Sequence, residues 1–240
     1  VGTCAEALAS VNPQAVLIPD AHWYDQVDTA SGRSWRISVW SPPTCDAKEP
    51  APVFYVLDGD ACFALAAQLA RNAVRRPAHA RHRVPIVVGI DQTPGAAAPQ
   101  LRERDYTPPG ASATQHFIAT ELMPSLARRL SLNRSRQALF GHSYAGLFAL
   151  QVLLTQPDLF SHYFVASPSL WWNQGWLPRE TPALVSDIDL TSPTHVQFYA
   201  GSEERARASA TPERAAVLAE RRPIAAVSSF AQQLQTAAEA

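Results

Sequence analysis

Short apolar runs recur along this chain, each closed by glycine, proline or an acidic residue, and they predict the strands of a buried sheet. Residues 35–40 alternate apolar and polar side chains, which is typical of a strand with one buried face. Residues 53–57 and 84–90 are continuous apolar runs, as expected for central strands that are covered on both faces. Shorter runs of the same kind follow at residues 137–140, 163–166 and 196–200.

Segments with the helical spacing of apolar residues lie between these runs. The predicted helices cover residues 61–75, 114–130, 144–155 and 212–238. The last of them is broken near Pro223. Residues 91–113 are rich in proline, glycine and alanine and predict a long loop, a kind of segment that often carries function. Strands that alternate with helices predict an α/β fold with a mostly parallel central sheet and helices on both faces.

The length and composition describe one globular domain. The chain has 240 residues, of which 47% are hydrophobic and 17% charged, and these proportions favour a folded core over disorder. Residues 1–240 are therefore predicted to form a single domain. The formal net charge of -1 provides no field that would attract nucleic acid or an anionic membrane. No window approaches the roughly 18 consecutive apolar residues of a membrane span.

The N-terminus and the cysteines bear on the compartment. The chain begins at Val1 and not at methionine, which either a removed signal peptide or a trimmed N-terminus would explain. The compartment stays open, with the bacterial periplasm favoured over the cytoplasm. The cysteines at positions 4, 45 and 62 lack the spacing of metal ligands, so no metal site is predicted. A Cys4–Cys45 disulfide stays open for an exported protein, and Cys62 is predicted to be a small buried side chain.

The segment around Ser143 carries the strongest signal for chemistry. The apolar run at 137–140 ends at Gly141, a serine follows two positions later, and an apolar helical pattern then begins. This layout predicts a nucleophile elbow, a sharp turn between a strand and a helix that lifts a serine hydroxyl out of the sheet. The turn requires small residues two positions before and after the serine. Gly141 meets this requirement, whereas Ala145 stands where glycine is usual, and an ordinary turn serine is the alternative.

Other polar segments of interest also follow predicted strands. Because the carboxyl ends of parallel strands meet at one edge of a sheet, these segments are expected to come together there and form the active site. They are residues 58–60, 91–106, 141–144, 167–172 and 201–204.

Five motifs in these segments carry a resemblance to a known family. They are YVLDGD at 55–60, RERDYTP at 102–108, GHSYAGLF at 141–148, SPSLWW at 167–172 and GSEE at 201–204. With these motifs in this order, the chain resembles the esterase D-like branch of the α/β-hydrolases, and within it the bacterial siderophore esterases that open enterobactin-type trilactones. The resemblance implies the α/β-hydrolase fold and a serine carboxylic-ester hydrolase that acts on a catecholate trilactone siderophore for iron release. It implies no metal or organic cofactor, because any iron belongs to the substrate.

The resemblance implies catalytic roles for residues of the first and third motifs. Ser143 would attack the ester carbonyl and form an acyl-enzyme that water later releases. The Tyr144 N–H and the backbone around Gly59 and Asp60 would hold the oxyanion that forms during this attack. Asp58 is expected to be structural.

The resemblance also implies substrate-binding residues. Arg102 and Arg104 lie in the long predicted loop, where charge attraction and cation–π contact would suit an anionic catecholate-iron ligand. Trp171 and Trp172 would wall the pocket, and His142 would orient the site or line it. The alternatives are two exposed loop arginines and tryptophans that belong to the core.

The sequence provides a candidate for the acid that would assist Ser143 but no candidate for the base. The family pattern Gly-x-x-Glu selects Glu204 as the acid, and Glu203 stays the alternative. The base in this fold is a histidine after the last strand, but none of the seven histidines follows Glu204. The sequence ends at Ala240 in a predicted helix, so the domain is expected to lack its last strand and helix at the C-terminus. Three explanations stay open: an unseen continuation, a truncated chain, or a protein that has kept binding and lost catalysis.

Two other functions remain open from the sequence. One is a general carboxylic-ester or thioester hydrolase of the same branch, and the other is a catalytically inactive siderophore-binding homologue. In each case the expected partner is a small molecule, an ester or a ferric siderophore, and no nucleic acid. The sequence does not predict the oligomeric state.

Overall fold

The fold is built around one seven-stranded sheet. The computed structural model describes residues 17–43, 49–77, 84–93, 99–186, 193–204, 211–221 and 223–238. Within these ranges the strands are β1 (Ala21–Val27), β2 (Ser34–Trp40), β3 (Ala51–Leu57), β4 (Ile86–Gln92), β5 (Leu132–His142), β6 (His162–Ala166) and β7 (His195–Tyr199).

The sheet is mostly parallel, as predicted. Its strand order is β1-β2-β4-β3-β5-β6-β7. Strand β2 runs antiparallel to both of its neighbours, β1 and β4, whereas β4, β3, β5, β6 and β7 run parallel to one another. The carboxyl ends of β3, β5, β6 and β7 therefore lie along one edge, which is where the polar motifs of the sequence follow these strands.

Helices follow or connect the strands. They are α1 (Gly59–Ala73), α2 (Pro99–Tyr106), α3 (Gly110–Phe117), a π-helical segment (Ile118–Leu122), α4 (Met123–Ala127), α5 (Tyr144–Thr155), a 3-10 turn (Pro157–Leu159), α6 (Trp172–Ser186), α7 (Pro212–Arg221) and α8 (Pro223–Ala238). No helix in the described parts of the chain is long and apolar enough to cross a membrane.

Hydrophobic cores form on both faces of the sheet. Strand β3 points alternate side chains to opposite faces, so that Tyr55 enters the larger core and Val56 the smaller one. Helix α5 covers the larger core, with Phe148 fully buried, and α1 covers the smaller core through Phe63 and Ala67. The prediction of helices on both faces is confirmed.

Three parts of the fold differ from the sequence-based expectation. The loop predicted at 91–113 is wrong in its second half, because α2 and α3 form there. The sequence of α2 shows almost no helical spacing of apolar residues, so the helix could not be predicted from its pattern. Strand β1 was not predicted because it is an edge strand with mostly exposed side chains and no apolar run. Helix α6 was not predicted because left-handed backbone at 173–175 and two prolines interrupt its pattern.

The cysteines are only partly covered by the structure. Cys4 and Cys45 lie outside the described residues, and so does the disulfide considered between them. Cys62 is a free thiol on α1 and is half-buried, not fully buried as predicted. Burial raises the pKa of its thiol, and the negative charge of Asp58 raises it further.

A buried carboxylate holds α2 in place. Asp105 is 1% exposed, and its side chain pairs with Arg33 at 3.0 Å and with Arg104 at 2.7 Å. Arg33 belongs to the connection between β1 and β2, and the Thr114 hydroxyl of α3 donates to the Asp105 carbonyl at 2.8 Å. The ion pair with Arg33 and the hydrogen bond from Thr114 thus attach α2 to neighbouring elements, whereas Arg104 lies on α2 itself beside Asp105.

We expect Asp105→Asn to lower the free energy of unfolding by about 2–3 kcal/mol, because the amide leaves two arginines without their carboxylate. Urea unfolding followed by circular dichroism measures this change. The matched control is Asp25→Asn, which removes an exposed pair with Arg36 across β1 and β2. A loss in the control as large as that in Asp105→Asn would contradict the role of burial at Asp105.

Candidate active site

The backbone at Ser143 has the geometry of a nucleophile elbow. Ser143 lies between β5 and α5 with φ 60° and ψ −118°, a strained conformation for a residue with a side chain. A Cβ atom on Gly141 would lie 2.2 Å from the Ala145 carbonyl oxygen, so only glycine fits there. Ala145 itself is fully buried in the larger core, which shows that the turn accepts alanine at this position.

Hydrogen bonds hold this strained turn from three sides. The Ser143 N–H donates to the Ala166 carbonyl at 3.0 Å. The Ser143 carbonyl accepts from the N–H groups of Leu147 and Ser169, each at 3.0 Å. The Ser143 hydroxyl lies 3.1 Å from the Ser169 hydroxyl. The serine is therefore anchored both to its own helix and to the loop that follows β6.

The Ser143 side chain opens into a pocket of about 230 Å³. The wall of this pocket comes from the loops after β5, β6 and β7 and from α7 and the start of α8. Its lining residues are His142, Ser143, Ser167, Pro168, Ser169, Trp171, Glu204, Val217, Leu218, Arg221 and Pro223. The structure thus brings together four residues named from the sequence, at positions 142, 143, 171 and 204.

Glu204 faces the pocket, whereas Glu203 is exposed and does not line it. The Glu204 carboxylate accepts a short hydrogen bond from the Ser167 hydroxyl and another from the Gly201 N–H at 3.0 Å. A Cβ atom on Gly201 would come within 2.8 Å of the Glu204 carboxylate oxygen. The geometry favours Glu204 over Glu203 as the acid.

Two serines of the SPSLWW motif were not singled out from the sequence. Ser167 binds Glu204, and Ser169 binds Ser143 through both its hydroxyl and its N–H. Ser167 also has a positive φ of 42°, and its N–H donates to the Tyr199 carbonyl of β7 at 2.8 Å. The position of this motif directly after a predicted strand was the available signal.

Arg102 joins the end of β3 to the elbow. Its guanidinium forms two hydrogen bonds with Asp58, each 2.7 Å long, and donates to the His142 carbonyl at 3.0 Å. The hydrogen bond with Asp58 raises the pKa of Arg102. Its guanidinium carbon lies 5.6 Å from the centre of the Tyr144 ring and 5.9 Å from that of Tyr106. Arg102 is not among the residues that line the Ser143 pocket, and a ligand contact by it stays a prediction.

Arg104 and Trp172 also lie outside the lining of this pocket. Arg104 pairs with Asp105, and the Trp172 N–H donates to the Glu103 carboxylate at 2.9 Å. Trp172 packs edge-on against Trp176, with ring centres 6.0 Å apart. Trp171 is the tryptophan that the structure places beside Ser143.

The three residues predicted to supply oxyanion donors, Gly59, Asp60 and Tyr144, lie in different surroundings. Gly59 approaches the β4 backbone closely, since a Cβ atom there would lie 3.2 Å from the carbonyl carbon of Gly89. The Asp60 N–H donates to the Asp91 carboxylate at 2.9 Å, so in this structure it is engaged and not free for an oxyanion. The Tyr144 N–H begins α5 beside Ser143. Gly59 and Tyr144 remain as the predicted donors.

Among the histidines of the described chain, His142 is the one that lines the pocket. His162 and His195 stack at 4.8 Å where β6 and β7 begin, at the opposite end of the sheet. Burial and the neighbouring His195 lower the pKa of His162. The described residues contain no group of three histidine, cysteine or acidic side chains that could hold a metal ion. His79 and His82 lie outside the described residues.

Comparisons with known proteins agree on one family. The model of the Esterase family matches residues 29–237. The ferri-bacillibactin esterase BesA of Bacillus subtilis (strain 168) is 31% identical over 209 residues, 79% of this chain and 72% of that protein. The siderophore enterobactin esterase of Emericella nidulans is 32% identical over 197 residues, 72% of this chain and 64% of that protein.

A solved structure extends this likeness to three dimensions. The siderophore hydrolase EstB from Aspergillus nidulans matches with a TM-score of 0.79 and 26% identity, over 91% of this chain and 84% of that one. The similarity therefore extends over most of the fold.

Half-buried Asp91 near the end of β4, whose carboxylate accepts the Asp60 N–H, predicts a pH dependence of stability. Burial raises the pKa of Asp91 to about 6, and the charge of Asp60 adds to this effect. An unfolded aspartate titrates near pH 3.9, so the folded protein binds more protons between about pH 4 and 6 and loses stability as the pH rises through this window.

We expect Asp91→Asn to remove this dependence, because its amide oxygen can still accept the Asp60 N–H without ionising. Between pH 4.5 and 7 the wild type should lose about 1–2 kcal/mol relative to the variant, less than the full linkage value because Asp91 is partly exposed. Urea unfolding at several pH values measures the difference. The exposed Asp20→Asn variant is the control and should keep the wild-type profile; parallel curves for wild type and Asp91→Asn would contradict the argument.

Proposed function

This chain belongs to the Esterase family, and on that premise we propose that it is a serine hydrolase that cleaves ester bonds of a catecholate trilactone siderophore of the enterobactin type. The observation that carries the proposal is the strained Ser143 elbow, which opens into a pocket shared with Glu204. The named relatives are esterases of siderophores, and this supports the substrate class. Any iron would enter as part of the substrate.

The proposed reaction proceeds through an acyl-enzyme. The Ser143 oxygen attacks the ester carbonyl carbon while its proton passes to a base. The bond to the alcohol oxygen then breaks, the base returns the proton to that oxygen, and the acyl group stays on Ser143. Water repeats these steps on the acyl-enzyme and releases the acid. The N–H groups of Tyr144 and Gly59 would stabilise the oxyanion, each by about 2.7–4 kcal/mol.

Glu204 is proposed to orient the base. The base in this chemistry is a histidine, whose imidazole is held in the working tautomer by a carboxylate. Glu204 is fixed for such a role by Ser167 and Gly201, which leave its second oxygen open to another donor. His142 lines the pocket but precedes Ser143 directly, and consecutive side chains at an elbow point apart. We therefore assign the base to no described residue.

Replacing the nucleophile tests the enzyme proposal. We expect Ser143→Ala to lower the rate of enterobactin cleavage by about 10⁵–10⁶-fold and to abolish covalent labelling by a fluorophosphonate. Release of dihydroxybenzoyl-serine is followed by liquid chromatography, and labelling by intact mass. The control is Ser135→Ala, an exposed serine near the start of β5 that should keep both signals.

Two outcomes of this experiment would favour the rival functions. Labelling of Ser143 and turnover of p-nitrophenyl butyrate without cleavage of enterobactin would support a general carboxylic-ester or thioester hydrolase. Enterobactin binding without labelling of Ser143 would support an inactive siderophore-binding protein.

The neighbouring glutamates provide a matched pair of variants. We expect Glu204→Gln to lower kcat by about 10²–10⁴-fold, because the amide holds the base in the wrong tautomer. Glu203→Gln should change kcat by no more than about twofold, since this exposed side chain does not line the pocket. Steady-state kinetics on enterobactin measures both. Equal losses in the two variants, or a larger loss in Glu203→Gln, would overturn the assignment of the acid.

A further inference from the structure

A second pocket lies beside the Ser143 pocket and shares a wall with it. This neighbour has a volume of about 580 Å³ and lies between α6, α7 and α8. Trp171, Val217 and Arg221 line both pockets. The two spaces are therefore adjacent, and these three side chains stand at their boundary.

Arg221 stacks on Trp171 at this boundary. Its guanidinium carbon lies 3.5 Å from the centre of the indole ring, a close cation–π contact. The Tyr144 ring lies 5.9 Å from the Trp171 ring, and the Arg102 guanidinium carbon lies 5.6 Å from the Tyr144 ring. Arg221 is the last residue of α7, where the helix dipole favours a cation. The contact holds the guanidinium on the indole ring, and Arg221 lines both pockets.

Arg221 differs from the other arginines near the site in having no carboxylate partner among the described residues. Arg102 is paired with Asp58, and Arg104 with Asp105. Glu204 lines the first pocket and Glu220 the second, but neither forms an ion pair with Arg221 within 4 Å. A guanidinium that rests on an aromatic ring and has no carboxylate partner among the described residues is suited to bind an anionic ligand group.

The sizes of the pockets indicate where a large ligand must extend. A pocket of about 230 Å³ is smaller than the ~300–1,000 Å³ that ordinarily enclose a small molecule. The second pocket falls within that range, and Phe230 and Ala226 give it an apolar floor. A substrate with several arms that places one ester at Ser143 can lay a neighbouring arm in the second pocket, because the two pockets share a wall.

We propose that Arg221, seated on Trp171, binds the anionic catecholate of a substrate arm that occupies the second pocket while the adjacent ester lies at Ser143. The inference rests on the proposed function and adds a residue that sets specificity for charge. In the ferric complex, iron displaces the catechol protons and leaves negative charge on the oxygens, which the Arg221 donors can bind. Trp171 lines both pockets, so its indole can contact the same aromatic ring.

Binding to an inactive background tests this inference without depending on turnover. In the Ser143→Ala protein, we expect Arg221→Gln to weaken the binding of ferric enterobactin by about 10–50-fold, measured by titration calorimetry. Arg221→Lys should show a smaller loss, because it keeps the charge but not the stacked plane. The loss should shrink at high salt, where the charge contribution is screened.

Two controls separate charge recognition from a general effect. Arg136→Gln, an exposed arginine on β5 away from the pocket, should leave the affinity unchanged. The uncharged hexa-O-methyl ether of enterobactin should bind the Arg221→Gln protein as well as it binds the parent. Thermal unfolding of each variant confirms that the fold is retained, and the lysine variant gives the answer if the glutamine variant does not fold.

The results distinguish failure of this inference from failure of the proposed function. Equal affinity of the parent and Arg221→Gln for ferric enterobactin would overturn the role of Arg221 and leave the esterase proposal intact. An equal loss for the methyl ether would overturn the assignment to charge. If the parent binds no ferric enterobactin and the wild type cleaves no enterobactin, the proposed function fails, and the inference fails with it.

Discussion

The strained backbone at Ser143 is the constraint on which the site depends. A conformation of this kind costs about 1–3 kcal/mol and persists only where its surroundings hold it. Here the end of β6 and the loop after it do so, since the Ala166 carbonyl accepts the Ser143 N–H and the Ser169 N–H donates to the Ser143 carbonyl. The same loop carries Ser167, which holds Glu204, and it leads into Trp171. This one segment therefore holds Ser143, Glu204 and the pocket wall in relation to one another.

The departure from the usual glycine after the serine has a structural explanation. Before the serine, position 141 accepts only glycine, because any Cβ atom there would collide with the backbone of Ala145. After the serine, the close approach falls on Gly146, where a Cβ atom would lie 3.1 Å from Pro168 and 3.2 Å from the Ala166 carbonyl oxygen. Ala145 instead points its methyl group into the larger core. The alanine thus contributes packing without blocking the turn.

The sheet could be predicted from the sequence because its central strands are continuous apolar runs, whereas much of the site could not. Order along the chain and the rule that loops meet at carboxyl ends bring residues 143, 171 and 204 to one edge. Which side chains contact one another could not be predicted, since these contacts join different secondary-structure elements. The pairing of Arg102 with Asp58, 44 residues away, and the stacking of Arg221 on Trp171 leave no local pattern. Helix α2 is missed for the same reason, since the contacts that hold it, the Asp105–Arg33 pair and the packing of Tyr106 on Phe148, join residues far apart in the sequence.

The arginines around the site differ in whether a carboxylate of the fold already pairs with their charge. Arg102 is held by Asp58 and the His142 carbonyl, so its removal would leave a half-buried carboxylate unpaired beside the elbow. Arg104 belongs in the same way to the network of Asp105. A charge that already has its counter-ion gains little from a ligand, because the ligand must first displace that counter-ion. A guanidinium supported by an aromatic face requires no such exchange, and for this reason the proposed contact with an anionic ligand falls on Arg221, at the boundary between the two pockets.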